Sequence, residues 1–320
     1  MPTDDLTGRG AAALAWFESV KERFGSWQVV AEPDRDEAEW WAGAPSVARD
    51  RLGTLWLACR MRTANDRLGR RGYEIRIFRS EDGGNWAHVH SIRREDVPIA
   101  GFERPALLFD PATDRFSLYG CGPVDDVWCI VRFNDADRPD RIVPSSCRTV
   151  IAPLGPGLPT GYKDPFVLSA GDLRRLFTIG IHESEQLYAF ESDDGEAWQP
   201  VGNPAASILP LAGWHTHAVR PACALPAFGG HLFVYEGSHT GWHDPCYNIS
   251  TGLAWTPDLQ TLTDLTPDAP ALRSPTPGRL HAWRYSHWLR VGGDVWVFAE
   301  VSKPNSAHET RLFKLPAPPG

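Results

Sequence analysis

One position in a recurring segment carries charged residues that could bind or act on a substrate. Each copy opens with a small or charged residue, usually followed by proline, and continues as an apolar run, a turn and a second apolar run. The aligned residues, spaced 60, 60, 56 and 66 positions apart, are Ala44, Arg104, Asp164, Arg220 and Ser286. Guanidinium groups bind carboxylates and phosphates through paired hydrogen bonds, so Arg104 and Arg220 are candidate anchors for an anionic substrate. The alternative is that the two arginines have a structural role and neutralise the carboxylates of Asp164 and Glu103, which are expected to line the same pocket.

Histidines are concentrated around the fourth copy of the segment and the start of the fifth. His215 and His217 form an H-x-H pair, which places both rings on one face of a strand and can hold a transition metal. Spacing fixes no further ligand, so we favour substrate hydrogen bonding or acid–base chemistry over metal binding, with a structural role as the alternative. His243 and His287 lie near the same predicted strands and are candidate substrate contacts.

Acidic residues near the repeated position are candidates for proton transfer. Glu103 precedes Arg104, and Glu236 ends the second apolar run of the fourth copy. With Asp164 they form the candidate catalytic carboxyl groups, and His217 is the candidate imidazole. For each glutamate a structural salt bridge is the competing interpretation. Aromatic side chains suited to stacking on a sugar ring stand close to the predicted strands, at Trp41, Tyr162, Trp242 and Tyr285.

Each copy of the segment is predicted to be a β-hairpin, because β-forming residues fill both runs and turn residues separate them. A second hairpin follows in most copies. An S-x-D-G-x-x-W turn occurs in two of them, at residues 80–86 and 192–198, with a weaker version at 255–259. Two hairpins make a four-stranded blade, so the sequence predicts an all-β fold, a five-bladed β-propeller with about 60 residues per blade.

The N-terminal residues 1–37 follow a different pattern. Leu14, Phe17, Val20 and Phe24 recur on one face, which predicts a short helix packed on the propeller. Residues 25–30 could form a strand that closes the ring by joining the last blade. The chain is therefore predicted to be a single domain, residues 1–320, with the five blades in residues 38–320.

Composition limits the partners that the sequence predicts. A net charge of −8 without a basic run argues against nucleic acid and against an anionic membrane surface. The first residues lack the pattern of a secretory signal, and the six cysteines lack CxxC pairs, so we expect reduced thiols and a cytoplasmic location. The expected partner is a small-molecule or saccharide substrate. No cofactor and no particular oligomeric state is predicted.

The blades, the first strands that open with x-D-P-x-V or a variant, and the S-x-D-G-x-x-W turns resemble the furanosidase-type glycoside hydrolases. That group includes arabinanases, arabinofuranosidases, β-xylosidases, invertases and levansucrases, and the resemblance covers residues 38–318. It implies three catalytic carboxylates, an aspartate in blade one, an aspartate in blade three and a glutamate in blade four. Asp164 matches the blade-three position, whereas Ala44 and Arg220 stand at the other two. The family mechanism therefore does not transfer intact.

Three functions follow from these observations. The first is a glycoside hydrolase-like enzyme that acts on an anionic glycoside or sugar-like molecule in the axial funnel, with Asp164 and either Glu103 or Glu236 as the acid–base pair. The second is a non-hydrolytic enzyme of lyase or cyclase type, with histidine acid–base chemistry and a possible metal. The third is a catalytically degenerate carbohydrate-binding propeller.

Overall fold

The computed structural model describes residues 3–64, 71–274, 276 and 280–320. The chain is mostly β with one N-terminal helix, as predicted. Helix α1 spans Thr3–Val20 and continues as a 3-10 turn at Lys21–Gly25. Further 3-10 turns are Arg94–Asp96, Pro139–Arg141 and Pro144–Ser146.

Twenty strands in the described residues fall into five sets of four. The first strand is β1 (Gln28–Ala31). The first set is β2 (Trp40–Arg49), β3 (Leu55–Thr63), β4 (Gly72–Ser80) and β5 (Ala87–Arg93), and the second set is β6 (Ala106–Asp110), β7 (Arg115–Val124), β8 (Val127–Arg132) and β9 (Arg148–Ile151). The third set is β10 (Tyr162–Ala170), β11 (Leu173–Ile181), β12 (Glu185–Ser192) and β13 (Gln199–Pro200). The fourth set is β14 (Ala218–Ala227), β15 (Gly230–Ser238), β16 (Ser250–Thr256) and β17 (Thr263–Asp264). The fifth set is β18 (Trp283–Val291), β19 (Asp294–Ser302), β20 (His308–Pro316) and the returning β1.

Within each set the strands pair antiparallel in chain order. The fifth set obtains its fourth strand from the other end of the chain, because β1 pairs with β20 and Gln28 stands opposite Leu312. A parallel bridge between Trp41 and His308 links the first and fifth sets. The N-terminal strand therefore covers an edge that β20 would otherwise expose.

A β-bulge interrupts the first strand of four sets at nearly the same place. In three of them the bulged residue has a positive φ, 49° at Ala44, 56° at Asp164 and 56° at Tyr285. Positive φ is unusual for residues other than glycine and is often found at functional sites. The strand pairing also corrects the sequence alignment by one residue in two sets. Tyr285 and not Ser286 occupies the repeated position of the fifth set. Pro221 and not Arg220 occupies that of the fourth, because Arg220 pairs with Glu236 as Arg284 pairs with Glu300.

The S-x-D-G-x-x-W turns hold the third strand of a set against the fourth. Ser80 Oγ accepts from the amide of Gly83 at 2.8 Å, and Asp82 Oδ1 accepts from the next two amides at 2.7 and 2.8 Å. Gly83 has a φ of 69°, which explains the glycine at this position. The turn at 192–198 repeats these bonds, and the weaker version at 255–259 does so with Thr256 in place of serine.

The N-terminal segment packs on the fifth set through aromatic side chains. Phe24 lies 5.4 Å from both Trp283 and Phe313 between ring centroids, and Phe17 is stacked on Trp288 at 6.5 Å. These residues belong to the largest apolar cluster of the chain, which continues into the fourth set. Within the described residues, no helix combines the length and the apolar character needed to cross a bilayer.

We expect Phe24→Ala to lower the free energy of unfolding by about 3–5 kcal/mol, because a buried aromatic side chain is lost and leaves a cavity beneath three other rings. Urea unfolding followed by tryptophan fluorescence measures the change. Leu52→Ala is the control, since Leu52 is 93% exposed and its truncation should change stability by less than about 0.5 kcal/mol. Equal effects of the two variants would show that the N-terminal segment does not stabilise the fifth set.

Candidate active site

A cluster of buried charges lies where the first strands of the sets begin. Its members are joined through ion pairs, hydrogen bonds and cation–π contacts, and they come from all five sets. This charged cluster comprises Arg60, Arg62, Glu103, Arg104, Lys163, Asp164, Glu185, Arg220, Glu236, Arg284 and Glu300. The structure thus brings together five of the residues predicted from the sequence, namely Glu103, Arg104, Asp164, Arg220 and Glu236. Buried ions cost free energy unless they are paired, so the pairing determines what each can do.

Tyr285 stands within the charged cluster. Its hydroxyl group donates to Asp164 Oδ2 at 3.3 Å, and its ring lies 5.2 Å from the guanidinium carbons of both Arg60 and Arg284. The side chain is almost fully buried and its backbone has the positive φ described above. Burial and the Asp164 carboxylate raise the pKa of Tyr285, so the phenol is protonated at neutral pH.

Glu300 is the most heavily bonded carboxylate of the cluster. Its Oε1 accepts from Arg284 Nε at 2.9 Å and Nη2 at 2.7 Å, and its Oε2 accepts from Arg60 at 3.1 Å and from the Ala44 amide at 2.9 Å. Burial alone would raise the pKa of Glu300, but Arg284 and Arg60 hold it well below its usual range. Gly43 makes this approach possible, because a Cβ there would lie 2.0 Å from Oε2.

Glu236 is buried in a contrasting environment. Its Oε1 accepts from the Ser286 amide at 2.9 Å, while in the described part of the chain its Oε2 has no hydrogen-bond partner. Burial raises the pKa of Glu236 to about 7, although Arg104 and the backbone amides of 285 and 286 act in the opposite direction. A carboxyl group with this pKa can donate a proton at neutral pH.

Glu103 is held in the ionised form. Arg60 Nη1 donates to its Oε2, and Arg62 Nη1 lies 3.3 Å from its Oε1. Burial opposes ionisation, but Arg60 and Arg62 lower the pKa of Glu103. Glu103 and Glu236 therefore differ in protonation state within one cluster, which is the pattern expected when two carboxyl groups have different tasks.

The two predicted anchors have different partners. Arg104 donates through Nη1 to the carbonyl of Pro221 at 2.7 Å and through Nη2 to that of Ala222, so its guanidinium group ties the second set to the fourth. Arg220 Nη2 lies 2.5 Å from Glu185 Oε2, and Lys163 Nζ contacts the other oxygen of Glu185. Two cations thus share one carboxylate, and this pair of cations is the better placed to bind a further anion.

Three predicted substrate contacts lie outside the charged cluster. His215 is buried in the fourth set, where its Nε2 is 3.1 Å from Asp264 Oδ2. Tyr162 packs between the second and third sets against other aromatic rings. His287 follows the bulge of β18 and lines an apolar cavity at the far ends of the first strands, and burial together with Arg104 lowers its pKa to about 3. The structure gives each of them a packing role.

The remaining predicted residues lie at the start of β2 and in the loops next to the cluster. Trp41 stacks on Tyr247 with ring centroids 6.0 Å apart, and Arg62 covers its ring at 5.0 Å. Trp242 and His243 line a cavity of about 480 Å³ together with Asn248, Ser250, Arg273 and His281. His217 Nε2 is 3.7 Å from the Sγ of Cys246. No group of three or more His, Cys, Asp or Glu side chains in the described ranges is arranged to hold a metal ion.

Three arginines of the cluster, Arg60, Arg62 and Arg284, were missed in the sequence. Arg60 ends the second strand of the first set, at the position that Glu236 and Glu300 hold in the fourth and fifth sets. Arg284 directly precedes the bulge of β18. Arg60 could have been predicted from the sequence, because aligning the ends of the second apolar runs places Arg60, Glu236 and Glu300 in register. Residues at this aligned position point towards the charged cluster.

No family model and no curated protein matches this sequence. Solved structures match it along most of its length. A β-1,2-mannobiose phosphorylase from Listeria innocua is 12% identical with a TM-score of 0.65, over 89% of this chain and 92% of the other. A thermostable family-43 glycoside hydrolase is 13% identical with a TM-score of 0.62, over 88% and 91%. An α-L-arabinofuranosidase from Podospora anserina is 12% identical with a TM-score of 0.59, over 91% and 97%.

The chain has the fold of the propeller glycoside hydrolases. The resemblance drawn from the sequence is thereby confirmed at the level of the fold. At these identities the similarity establishes the architecture alone, and the chemistry has to be argued from the residues of the charged cluster.

We expect one thiol per native chain to react rapidly with Ellman's reagent, because Cys246 is exposed and the other five cysteines are buried. All six should react after denaturation in guanidinium chloride. Cys246→Ser is the matched variant and should leave no rapidly reacting thiol. Rapid reaction of several thiols in the wild-type chain would contradict the packing of the sets.

We expect Glu236→Gln to stabilise the protein more at about pH 8 than at about pH 5. Glu236 ionises near pH 7 when folded, against 4.5 ordinarily, so the folded state binds the extra proton and wild-type stability falls as pH rises between these values. The variant removes this loss, which amounts to at most about 3 kcal/mol. Urea unfolding at both pH values measures it.

Glu300→Gln provides the control for that measurement. Because Arg284 and Arg60 keep Glu300 ionised at both pH values, its neutralisation leaves the buried guanidinium group of Arg284 without its carboxylate partner and that of Arg60 with Glu103 alone. Stability should fall by about 3–5 kcal/mol at either pH. If Glu236→Gln gave the same change at both pH values, the raised pKa of Glu236 would be refuted.

Proposed function

We propose that this protein is a glycoside-processing enzyme whose five strand sets are the blades of a propeller and whose active site is the charged cluster on its axis. The observation that carries the proposal is the pair of contrasting buried carboxyl groups. Glu236 has an oxygen atom without a partner among the described residues, and Asp164 accepts hydrogen bonds from Tyr285 and from the backbone amide of Arg104. Cleavage of a glycosidic bond needs a proton donor and a carboxylate in one site.

Glu236 is assigned as the general acid. Its carboxyl group is protonated near neutral pH and can deliver the proton to the leaving oxygen. Asp164 is assigned as the carboxylate that accepts a proton on the other side of the reacting carbon. Glu103 is a positioning residue, since its two ion pairs fix Arg60 and Arg62. This assignment selects Glu236 over Glu103 as the partner of Asp164.

The charge balance of the cluster favours an anionic substrate. With Glu236 protonated, six cationic side chains face four carboxylates in a chain whose net charge is −8. Such a local excess of buried positive charge is stabilised by a bound anion. Arg220 and Lys163 are the proposed anchors, because they share the single carboxylate of Glu185. The anion is either a group on the sugar or inorganic phosphate as co-substrate.

Aromatic residues beside the cluster support a saccharide as the substrate. Trp41 and Tyr247 form a stacked pair beside Arg284, which lies 5.5 Å from the ring of Tyr247. Trp242 lines the adjoining cavity, and solved structures with this fold include a complex with β-1,2-mannobiose. Sugar rings stack on such surfaces through their apolar faces. The proposal involves no cofactor, no nucleic acid and no membrane, and it keeps the cytoplasmic location.

The function can be tested with a panel of oligosaccharides analysed by mass spectrometry. One half of the panel contains uronic acids and the other half contains the matching neutral sugars, each with and without inorganic phosphate. We expect turnover of an anionic member, or of a neutral member only when phosphate is present. Asp164→Asn and Glu236→Gln should each lose at least about a hundredfold in kcat, and Leu52→Ala should retain full activity.

The remaining outcomes distinguish the other two functions. Saturable binding without any product would establish a carbohydrate-binding propeller and overturn the enzyme. A product with a new carbon–carbon double bond, and without the mass of an added water, would establish a lyase. Such a lyase could draw on His217, since His215 is bonded to Asp264 and His287 is uncharged above about pH 3.

We expect Arg220→Gln to raise KM for an anionic substrate by about tenfold or more while kcat changes less, because a charged hydrogen bond to the substrate is lost. Michaelis kinetics on the anionic substrate and on its neutral analogue measure the effect. The matched variant Arg115→Gln removes an exposed arginine far from the cluster and should leave both constants unchanged. Equal losses on anionic and neutral substrates would refute the anchoring role.

A further inference from the structure

The chain lacks a carboxylate at the first repeated position, and the fifth set holds a different reactive group there. Ala44, Asp164 and Tyr285 are equivalent bulge residues with positive φ. Ala44 carries no functional group, so its side chain can neither attack a substrate nor accept a proton. Tyr285 presents a hydroxyl group from the corresponding place in the fifth set. A strained backbone at a buried reactive residue is maintained only when the surroundings fix it.

The surroundings of Tyr285 are those of an activated nucleophile. Asp164 Oδ2 lies 3.3 Å from its hydroxyl oxygen, within reach of the proton that a reacting phenol must lose. The guanidinium carbons of Arg60 and Arg284 lie 5.2 Å from its ring, so positive charge is already present where a phenolate would form. Glu300 and Glu103 hold Arg60 in place, and Glu300 also holds Arg284.

We propose that Tyr285 is the catalytic nucleophile of this site and that Asp164 is its base. The inference rests on the proposed function and deepens it, because it explains the missing carboxylate and the positive charge together. An ionised carboxylate would repel an anionic sugar as the two approach. A neutral phenol does not, and the surrounding arginines can bind the anion and stabilise the developing phenolate at the same time.

The reaction proceeds in two balanced steps. In the first, the Tyr285 oxygen forms a bond to the anomeric carbon and its proton passes to Asp164. The glycosidic carbon–oxygen bond breaks, and the leaving oxygen takes its electron pair together with the proton of Glu236. In the second step Glu236, now a carboxylate, removes a proton from water. The water oxygen replaces Tyr285 at the anomeric carbon, and the phenolate recovers its proton from Asp164. Two displacements retain the anomeric configuration.

The competing interpretation is that Tyr285 has only a structural role, in which its ring fills space and its hydroxyl group donates a hydrogen bond to the buried Asp164. Tyr119 provides the matched case, because it is fully buried and its hydroxyl group donates to a single acceptor, the carbonyl of Gly195, at 3.2 Å. Tyr119→Phe and Tyr285→Phe each remove one buried hydroxyl group, and that of Tyr119 also interacts with Arg174. Their effects on stability should therefore be similar, and only a chemical role separates their effects on turnover.

The experiment combines these variants with a covalent trap on the full-length protein. The probes are 2-deoxy-2-fluoroglycosyl fluorides of uronic acids and of the matching neutral sugars, followed by intact mass spectrometry and peptide mapping. We expect a single adduct on Tyr285 of the wild-type chain and none on Tyr285→Phe. On the substrate found above, kcat of Tyr285→Phe should fall at least about a hundredfold, with kcat of Tyr119→Phe near wild type and similar shifts of the unfolding midpoint for the two variants.

The other outcomes distinguish a wrong nucleophile from a wrong function. An adduct on Asp164 or Glu103, a product of inverted configuration, or a Tyr285→Phe variant that still turns over would overturn the nucleophile while leaving the glycoside-processing function in place. A wild-type chain that turns over nothing in the panel and takes up no probe would overturn both. The trap needs no variant, so poor folding of Tyr285→Phe would not prevent the decision.

Discussion

The carboxylate of Glu300 joins the two ends of the chain into one buried ion network. It binds Arg60 and the Ala44 amide of the first set and Arg284 of the fifth, at a site without access to water. A buried ion that loses its partners costs several kcal/mol, so the first and fifth sets cannot separate without a large loss of stability. Gly43 leaves the space that this carboxylate occupies. The residues proposed to act on the substrate are therefore held in place by buried ion pairs.

The same structural position is used in two ways. The side chain at the end of a second strand accepts a hydrogen bond from the next first strand, Glu300 from Ala44 and Glu236 from Ser286. Glu300 also bonds two guanidinium groups and remains ionised, whereas Glu236 has no such bond among the described residues and its pKa is raised to about 7. A change in the neighbouring cations is enough to turn a structural carboxylate into a proton donor.

Much of this could be predicted because it is local. Turn residues and alternating apolar positions recur with the strand sets, so the all-β fold and the N-terminal helix follow from the sequence. The position of the bulge does not, because it depends on how the strands pair, so the sequence alignment places Ser286 where the structure has Tyr285. A bulge changes which side chains face inward. This is why the structure gives His287 a packing role. Arg60 lies inside the cluster on the neighbouring second strand, whose equivalent positions the sequence alignment did not compare.

The pairing of β1 with β20 has a consequence for how the protein is made. Arg60 lies 240 residues before its partner Glu300, and β1, which completes the fifth set, is synthesised before the other nineteen strands of the described residues. During synthesis Arg60 and β1 remain in contact with solvent until the strands of the fifth set have been made. Contacts of such sequence separation are slow to form. A chain that stops before the fifth set consequently has no finished pocket, so no activity can appear before that set has been made.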